Sequence, residues 1–214
     1  MKMKIRFTIL ILFATITSLV AQNWEQEFTK DGVTVWTRKL SWSSYKEFKG
    51  EVVINANLCS ILSVFDDIST YTKWLYNCIE AKQVNRESTT KGVRYTAIKA
   101  PWPVSDRDIV FQYYVTQNKT TKSVTLGLKG IKGTVPDCGR VRMTYMIGSY
   151  ELIPLAKNKT KVVYQSHNDP AGSVPTAIIN KTITETPYNT LLNLRKLVGT
   201  GNYKKQVFKE ITEL

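Results

Sequence analysis

Six apolar-rich runs follow one another between residues 79 and 168, joined by short links, and they constrain the fold more than any other stretch. They cover 79–87, 93–100, 107–116, 123–128, 140–147 continuing at 150–152, and 161–166. Gly92, Gly127, Gly130, Gly133, Gly139 and Gly148 punctuate them as turns or bulges. Parallel neighbours would need long crossovers, so consecutive strands with short links predict an antiparallel, strongly curved sheet.

The sharpest turn in that run is Pro101-Trp102-Pro103-Val104-Ser105-Asp106-Arg107-Asp108. Proline cannot donate to a strand ladder, so the chain must leave the sheet here and start a new strand at Arg107. Alternation along that strand places Arg107, Ile109, Phe111, Tyr113 and Val115 on one face, with Asp106, Asp108, Val110, Gln112 and Tyr114 on the other. A buried guanidinium is costly alone, so a carboxylate or several carbonyls must meet Arg107. Two roles stand for it: tying the proline-rich crossing to the sheet, or meeting the head group of a ligand.

Upstream, strands are expected at 33–39 and 45–54 after the Asp31-Gly32 turn. Asn57 can cap a helix carrying Leu58, Ile61, Leu62 and Phe65, and Ser69 can open a second short helix with Tyr71, Trp74 and Leu75. Downstream, Pro175 suits a first helical turn. Ile179, Ile183, Tyr188, Leu191, Leu194 and Val198 form an apolar stripe ended by Gly199. One long helix is therefore expected, kinked at Pro187.

Residues 1–21 read as a targeting segment: Lys2, Lys4 and Arg6, an apolar run from Ile9 to Phe13, then small residues to Ala21. Thr15, Thr17 and Ser18 dilute that run below what a spanning helix needs. Export with cleavage near Ala21 is expected, then one domain over 22–200 and a tail over 201–214. Without the three basic residues of that segment, 27 Lys and Arg face 17 Asp and Glu. Export argues against nucleic acid as the partner, which leaves a solvated basic face or a transient contact with anionic membrane. Cys59, Cys78 and Cys138 lack zinc-type spacing. Either a Cys59–Cys78 disulfide or buried thiols fit them. No metal site or cofactor is expected.

Four groups of residues, in chain order, resemble one family. Asp66/Asp67 with Tyr71 and Trp74, then Val104-Ser105-Asp106-Arg107-Asp108, then Arg142 with Tyr150-Glu151-Leu152-Ile153-Pro154, and last Asp169-Pro170-Ala171-Gly172-Ser173-Val174-Pro175 before Ile178-Ile179-Asn180, resemble the START-type lipid-transfer domain. The resemblance spans about residues 24–198. It implies an α+β helix-grip fold, in which a curved antiparallel sheet wraps a long C-terminal helix and two short helices follow the second strand. It also implies a largely apolar tunnel for one lipid-sized molecule, and a binder rather than an enzyme. Members with an Arg–acid pair in the tunnel carry the Arg where this chain has Tyr113, so tyrosine hydroxyls would supply polar anchoring. Their opening helix is reduced here to about residues 23–29.

On that basis the expected tunnel residues are Tyr95, Arg107, Phe111, Tyr113, Met143, Tyr145, His167, Ile179, Ile183 and Leu191. The ligand would be a lipid or similar hydrophobic molecule, held by a monomer. The alternative is a cyclase or hydrolase working in the same cavity. His167 with a neighbouring carboxylate is its best candidate, although a lone histidine without a nucleophile at motif spacing makes no triad.

Overall fold

The computed structural model describes residues 23–133, 135–143, 145–201, 203 and 208–214, so the expected targeting segment lies outside the described residues. The chain runs β1 (Glu25–Lys30), β2 (Val33–Leu40), β3 (Ser43–Ile54), α1 (Leu58–Asp66), a 3-10 turn and α2 (Tyr71–Trp74), then β4 (Cys78–Arg86) and β5 (Lys91–Ile98). It continues with β6 (Arg107–Gln117), β7 (Val124–Gly130), β8 (Val141–Arg142), β9 (Tyr145–Ala156), β10 (Lys159–Asp169), α3 (Thr176–Thr182) and α4 (Glu185–Gly199).

The strands form one sheet in the order β1-β2-β3-β10-β9-β7-β6-β5-β4, and β8 adds a short parallel pairing to β6. All other pairings are antiparallel. The register slips between Gln26 and Phe28 on one edge strand, and at Cys78/Glu80 and Gln83/Asn85 on the other. Helix α4 packs on the concave side against β3, β2 and β10. Between helix and sheet lies the core: Val33, Val35, Phe48, Val52, Leu58, Ile61, Leu152, Val162, Leu191 and Leu194 are all nearly inaccessible to solvent.

The helix-grip architecture expected from the sequence is present, with three local differences. The segment near residues 23–29 is a strand, β1, because Gln26, Phe28 and Lys30 pair with β2 across the Asp31-Gly32 turn. The short helices therefore follow the third strand. Strand β9 runs unbroken through Gly148, where a Cβ would sit 2.8 Å from the Ser166 Oγ; that glycine marks close packing, not a turn. Finally, the C-terminal stripe is two helices, divided at Ile183-Thr184 and not at Pro187. Pro187 falls in the first turn of α4, where backbone N–H groups have no intrahelical partner and a missing one costs little.

Helix α1 starts where expected: the Asn57 side chain accepts from Ser60 N at 2.9 Å. Cys78 is a buried thiol donating to the Glu80 carbonyl, and no Cys59–Cys78 bridge forms. Burial pushes that thiol up to about 11. Residues 208–214 are tied to the body. Phe208 is buried in the main core, and the Glu213 carboxylate accepts from Leu58 N and Cys59 N at 3.0 and 2.8 Å.

Candidate functional site

A cavity of about 640 Å³ lies between the concave sheet face, α2, α3 and the first turn of α4. Its wall follows the strand period. Positions 46 and 48 of β3, 107, 109 and 111 of β6, 126 and 128 of β7, and 164, 166 and 168 of β10 all face it. The inward side chains are mostly apolar, as in ligand pockets generally.

Aromatic rings close the deep end. Phe65 packs edge-on to Trp74 with centroids 5.1 Å apart, and Tyr150 stacks on Tyr164 at 4.1 Å and 9°. Burial first, then the Tyr164 hydroxyl beside it, pushes the Tyr150 hydroxyl well above the ordinary phenol range, and burial pushes Tyr164 up to about 12. Both hydroxyls therefore stay protonated and can act as hydrogen-bond handles in an apolar wall. The Trp74 indole N–H is buried without a partner, a donor left unused on the same wall.

Behind this aromatic floor sits Arg94, 2% exposed. It donates to the Phe65 carbonyl at 2.6 Å, the Tyr71 hydroxyl at 2.5 Å and the Gln83 side chain at 3.0 Å, and its guanidinium lies over the Tyr113 ring at 4.0 Å. Asp66 supplies the countercharge at 3.5 Å. A buried cation thus occupies the blind end of the fold from β5, packed against the tyrosine that stands where the resemblance placed an arginine.

The mouth is built by the proline-rich crossing, α3 and the first turn of α4. Trp102 projects there, 93% exposed. Asp106 holds the crossing by accepting from Ala100 N at 3.1 Å. The Asn180 side chain latches α3 to β3, accepting from Lys46 N at 3.0 Å and donating to the Ser44 carbonyl at 3.2 Å.

Five of the ten expected residues line the cavity: Arg107, Phe111, Met143, Ile179 and Ile183. The other five do not. Tyr113 shares the face of Phe111 but lies beyond the floor, under Arg94. Leu191 is fully buried in the core where α4 meets β3. Tyr95 points to the convex face, in a small core with Ala97 and Val110, and its hydroxyl donates to Asp108 at 3.1 Å. Tyr145 on β9 and His167 on β10, which pair with Asp169 and Ile147 and so sit diagonally to each other, also face outward. The His167 ring packs against Trp42 at 4.7 Å and Tyr145 at 5.8 Å, with Nδ1 3.4 Å from the Lys46 carbonyl oxygen. Their neighbours Met146, Tyr150, Tyr164 and Ser166 take the inward positions.

On the convex face Asp108 is buried and accepts from Arg142 Nε at 2.6 Å and Nη2 at 3.0 Å, as well as from Tyr95 and Cys138. Burial alone would raise its carboxyl, but those donors and the Arg142 charge together hold it below the ordinary value. This cluster pins the loop carrying Cys138 and Arg140 to the back of the sheet. Among the described residues, no group of three His, Cys, Asp or Glu is placed to hold a metal ion, and no helix is long and apolar enough to cross a membrane.

A family model of the START domain matches residues 14–201. An uncharacterized protein of Pseudomonas aeruginosa is 31% identical over 195 residues, which is 89% of this chain and 95% of that protein. Among solved structures, a fragment of the STAR-related lipid transfer protein from Xanthomonas axonopodis aligns with a TM-score of 0.76 at 28% identity, over 82% of this chain and 98% of the fragment. Human StAR-related lipid transfer protein 5 aligns at 0.72 and 20% identity, over 83% of this chain and 87% of its own, a likeness of fold.

Proposed function

The chain belongs to the START domain family, and on that premise we propose that it carries one lipid-like hydrophobic molecule in the cavity without changing it chemically. The observation that carries this reading is the cavity itself: about 640 Å³, apolar on alternate positions of the sheet, closed by aromatic rings and covered by α3. Ligand pockets commonly fall between about 300 and 1,000 Å³. The driving force is apolar burial, roughly 25 cal/mol per Å² before ordering costs.

Binding is favoured over catalysis by the position of His167, which stands on the convex face among aromatic rings and away from the cavity. The enzyme reading used that residue as its acid or base. The charged N-terminal segment further supports export, so the N-terminus of the protein recovered from its host should begin near Gln22; a chain still carrying Met1 to Ala21 would argue against it.

The test of binding is native mass spectrometry with solvent extraction of the purified protein, beside a Leu128→Trp variant that fills the cavity. The wild type should carry one lipid per chain, and Leu128→Trp should fold while losing it. A wild type that carries no lipid and gains no thermal stability from any lipid offered would end the proposal.

A further inference from the structure

Two arginines, Arg94 fully buried and Arg142 partly buried, are met by carboxylates. Arg94 has Asp66 at 3.5 Å, and Arg142 has Asp108 at 2.6 Å. Arg107 differs. It is 7% exposed at the cavity mouth, and its three nitrogens donate to carbonyls: Nε to Pro170 at 3.4 Å, Nη2 to Ala171 at 3.5 Å, and Nη1 to Ser105. Carbonyl oxygens satisfy N–H groups but do not neutralise the charge, and a guanidinium has five N–H groups to place. Among the described residues no carboxylate lies within ion-pairing distance of Arg107.

The nearby acids make their hydrogen bonds elsewhere, and the Asp106 carboxylate favours the Arg107 charge only from beyond ion-pairing distance. Asp106 accepts from Ala100 N at 3.1 Å, Asp169 from Ala171 N at 2.9 Å, and Glu185 from the Tyr76 hydroxyl at 2.9 Å. The cavity lining includes Lys46 and Lys99 with Arg107, against the single carboxylate of Glu185. The Lys46 ammonium turns away to Glu27 and Thr37, so the positive charge on the lining without an ion-pair partner centres on Arg107 and Lys99. Below it Ile109, Phe111, Leu126 and Leu128 continue as an apolar wall to the aromatic floor.

The space sets the number of chains. A methylene occupies about the ~30 Å³ of a liquid water, so one 18-carbon chain needs on the order of 500 Å³ and two such chains about twice that. The cavity, at about 640 Å³, holds one.

We infer that Arg107 anchors the compact anionic head, a carboxylate or a phosphate group, of a single-chain lipid whose tail runs inward toward Trp74 and Tyr150. This deepens the carrier reading and rests on it. The guanidinium fork suits two oxygens of such a head, and the carbonyls of Ser105, Pro170 and Ala171 hold the fork in place.

The experiment measures the affinities of oleate, oleyl phosphate and oleyl alcohol for the delipidated protein and for Arg107→Gln and Arg107→Lys. The wild type should bind at least one of the two anions about tenfold or more tightly than the alcohol, and the two anion arms identify the head. Arg107→Gln should erase that preference while leaving alcohol affinity unchanged, and Arg107→Lys should keep part of it. Oleate labelled with 13C at the carboxyl supplies a readout that needs no variant: bound to the wild type, it should titrate at lower pH than in detergent micelles.

Equal wild-type affinity for alcohol and both anions, an unshifted titration, or a preference that survives in Arg107→Gln would overturn the anchor while leaving the carrier intact. Failure of all three probes to bind the wild type would instead bring down the carrier reading, and the anchor with it.

Discussion

Asp108 carries more of the fold than its place in the sequence suggests, because the donors around it come from three separate segments: Tyr95, Cys138 and Arg142. Asp108→Asn should cost about 3 kcal/mol, since it leaves Arg142 without its countercharge. The pH dependence has a definite sign. A carboxyl held below its unfolded value of about 3.9 contributes stability above that pH and loses it as pH falls through the lower folded value. Urea unfolding should therefore show the gap between wild type and Asp108→Asn narrowing below about pH 4; a gap constant from pH 7 to 3 would contradict the assignment. At this scale the sequence was half legible. Alternation along β6 placed Arg107, Ile109 and Phe111 correctly, because the strand start was marked by Pro103 and Asp106. It does not carry to Tyr145, because Met143 lies in the break between β8 and β9 and parity does not cross a break; His167, on unbroken β10, rested on being the lone histidine and not on the alternation of its strand. Alternation read from Tyr164 and Ser166 would have found the inward set. Arg94 left no local signal, since its partners at Phe65, Tyr71 and Asp66 are brought to it only by tertiary packing.

Helix α4 and strand β3 meet through a missing side chain. A Cβ on Gly50 would stand 2.8 Å from the Leu191 Cδ1 and 2.9 Å from the Pro187 Cβ. The leucine can turn away, but the proline ring is fixed to the helix. Gly50→Ala should accordingly push α4 off the sheet and destabilise the fold by about 1–3 kcal/mol, read as a lower thermal midpoint. A midpoint within error of the wild type would show that the helix has room to spare. Elements were the most legible level: strand periodicity, the Asn57 cap and the terminal apolar stripe all correspond to elements of the fold. The division of that stripe was missed because Pro187 drew attention as a breaker, whereas a proline within the first turn is compatible with a helix starting just before it. The result is that α3 has no buried residue and is held at one end by the Asn180 latch, while α4 is anchored by Thr190, Leu191, Leu194 and Val198.

For the molecule as a whole, the C-terminal residues are part of the body. Helix α1 has no acidic residue in its first turn, and Glu213 brings a carboxylate to its N-terminal N–H groups from the far end of the chain. Gln117 and Thr212 exchange a pair of hydrogen bonds beside it, at 2.7 and 2.9 Å. Deleting residues 208–214 removes the buried Phe208 and this cap, and should cost about 3 kcal/mol by denaturant titration. An unchanged midpoint would make the tail an ornament. No local pattern announces such an attachment, because its partners are distant in sequence. The sheet, finally, never closes: β1 and β4 remain its two borders. Register slips interrupt both, and Glu80, Lys82 and Arg86 stud the second. A neighbouring copy approaching either border would meet a kinked, charged ribbon and no straight row of main-chain donors and acceptors, so the open sheet that makes room for a guest also discourages templated aggregation.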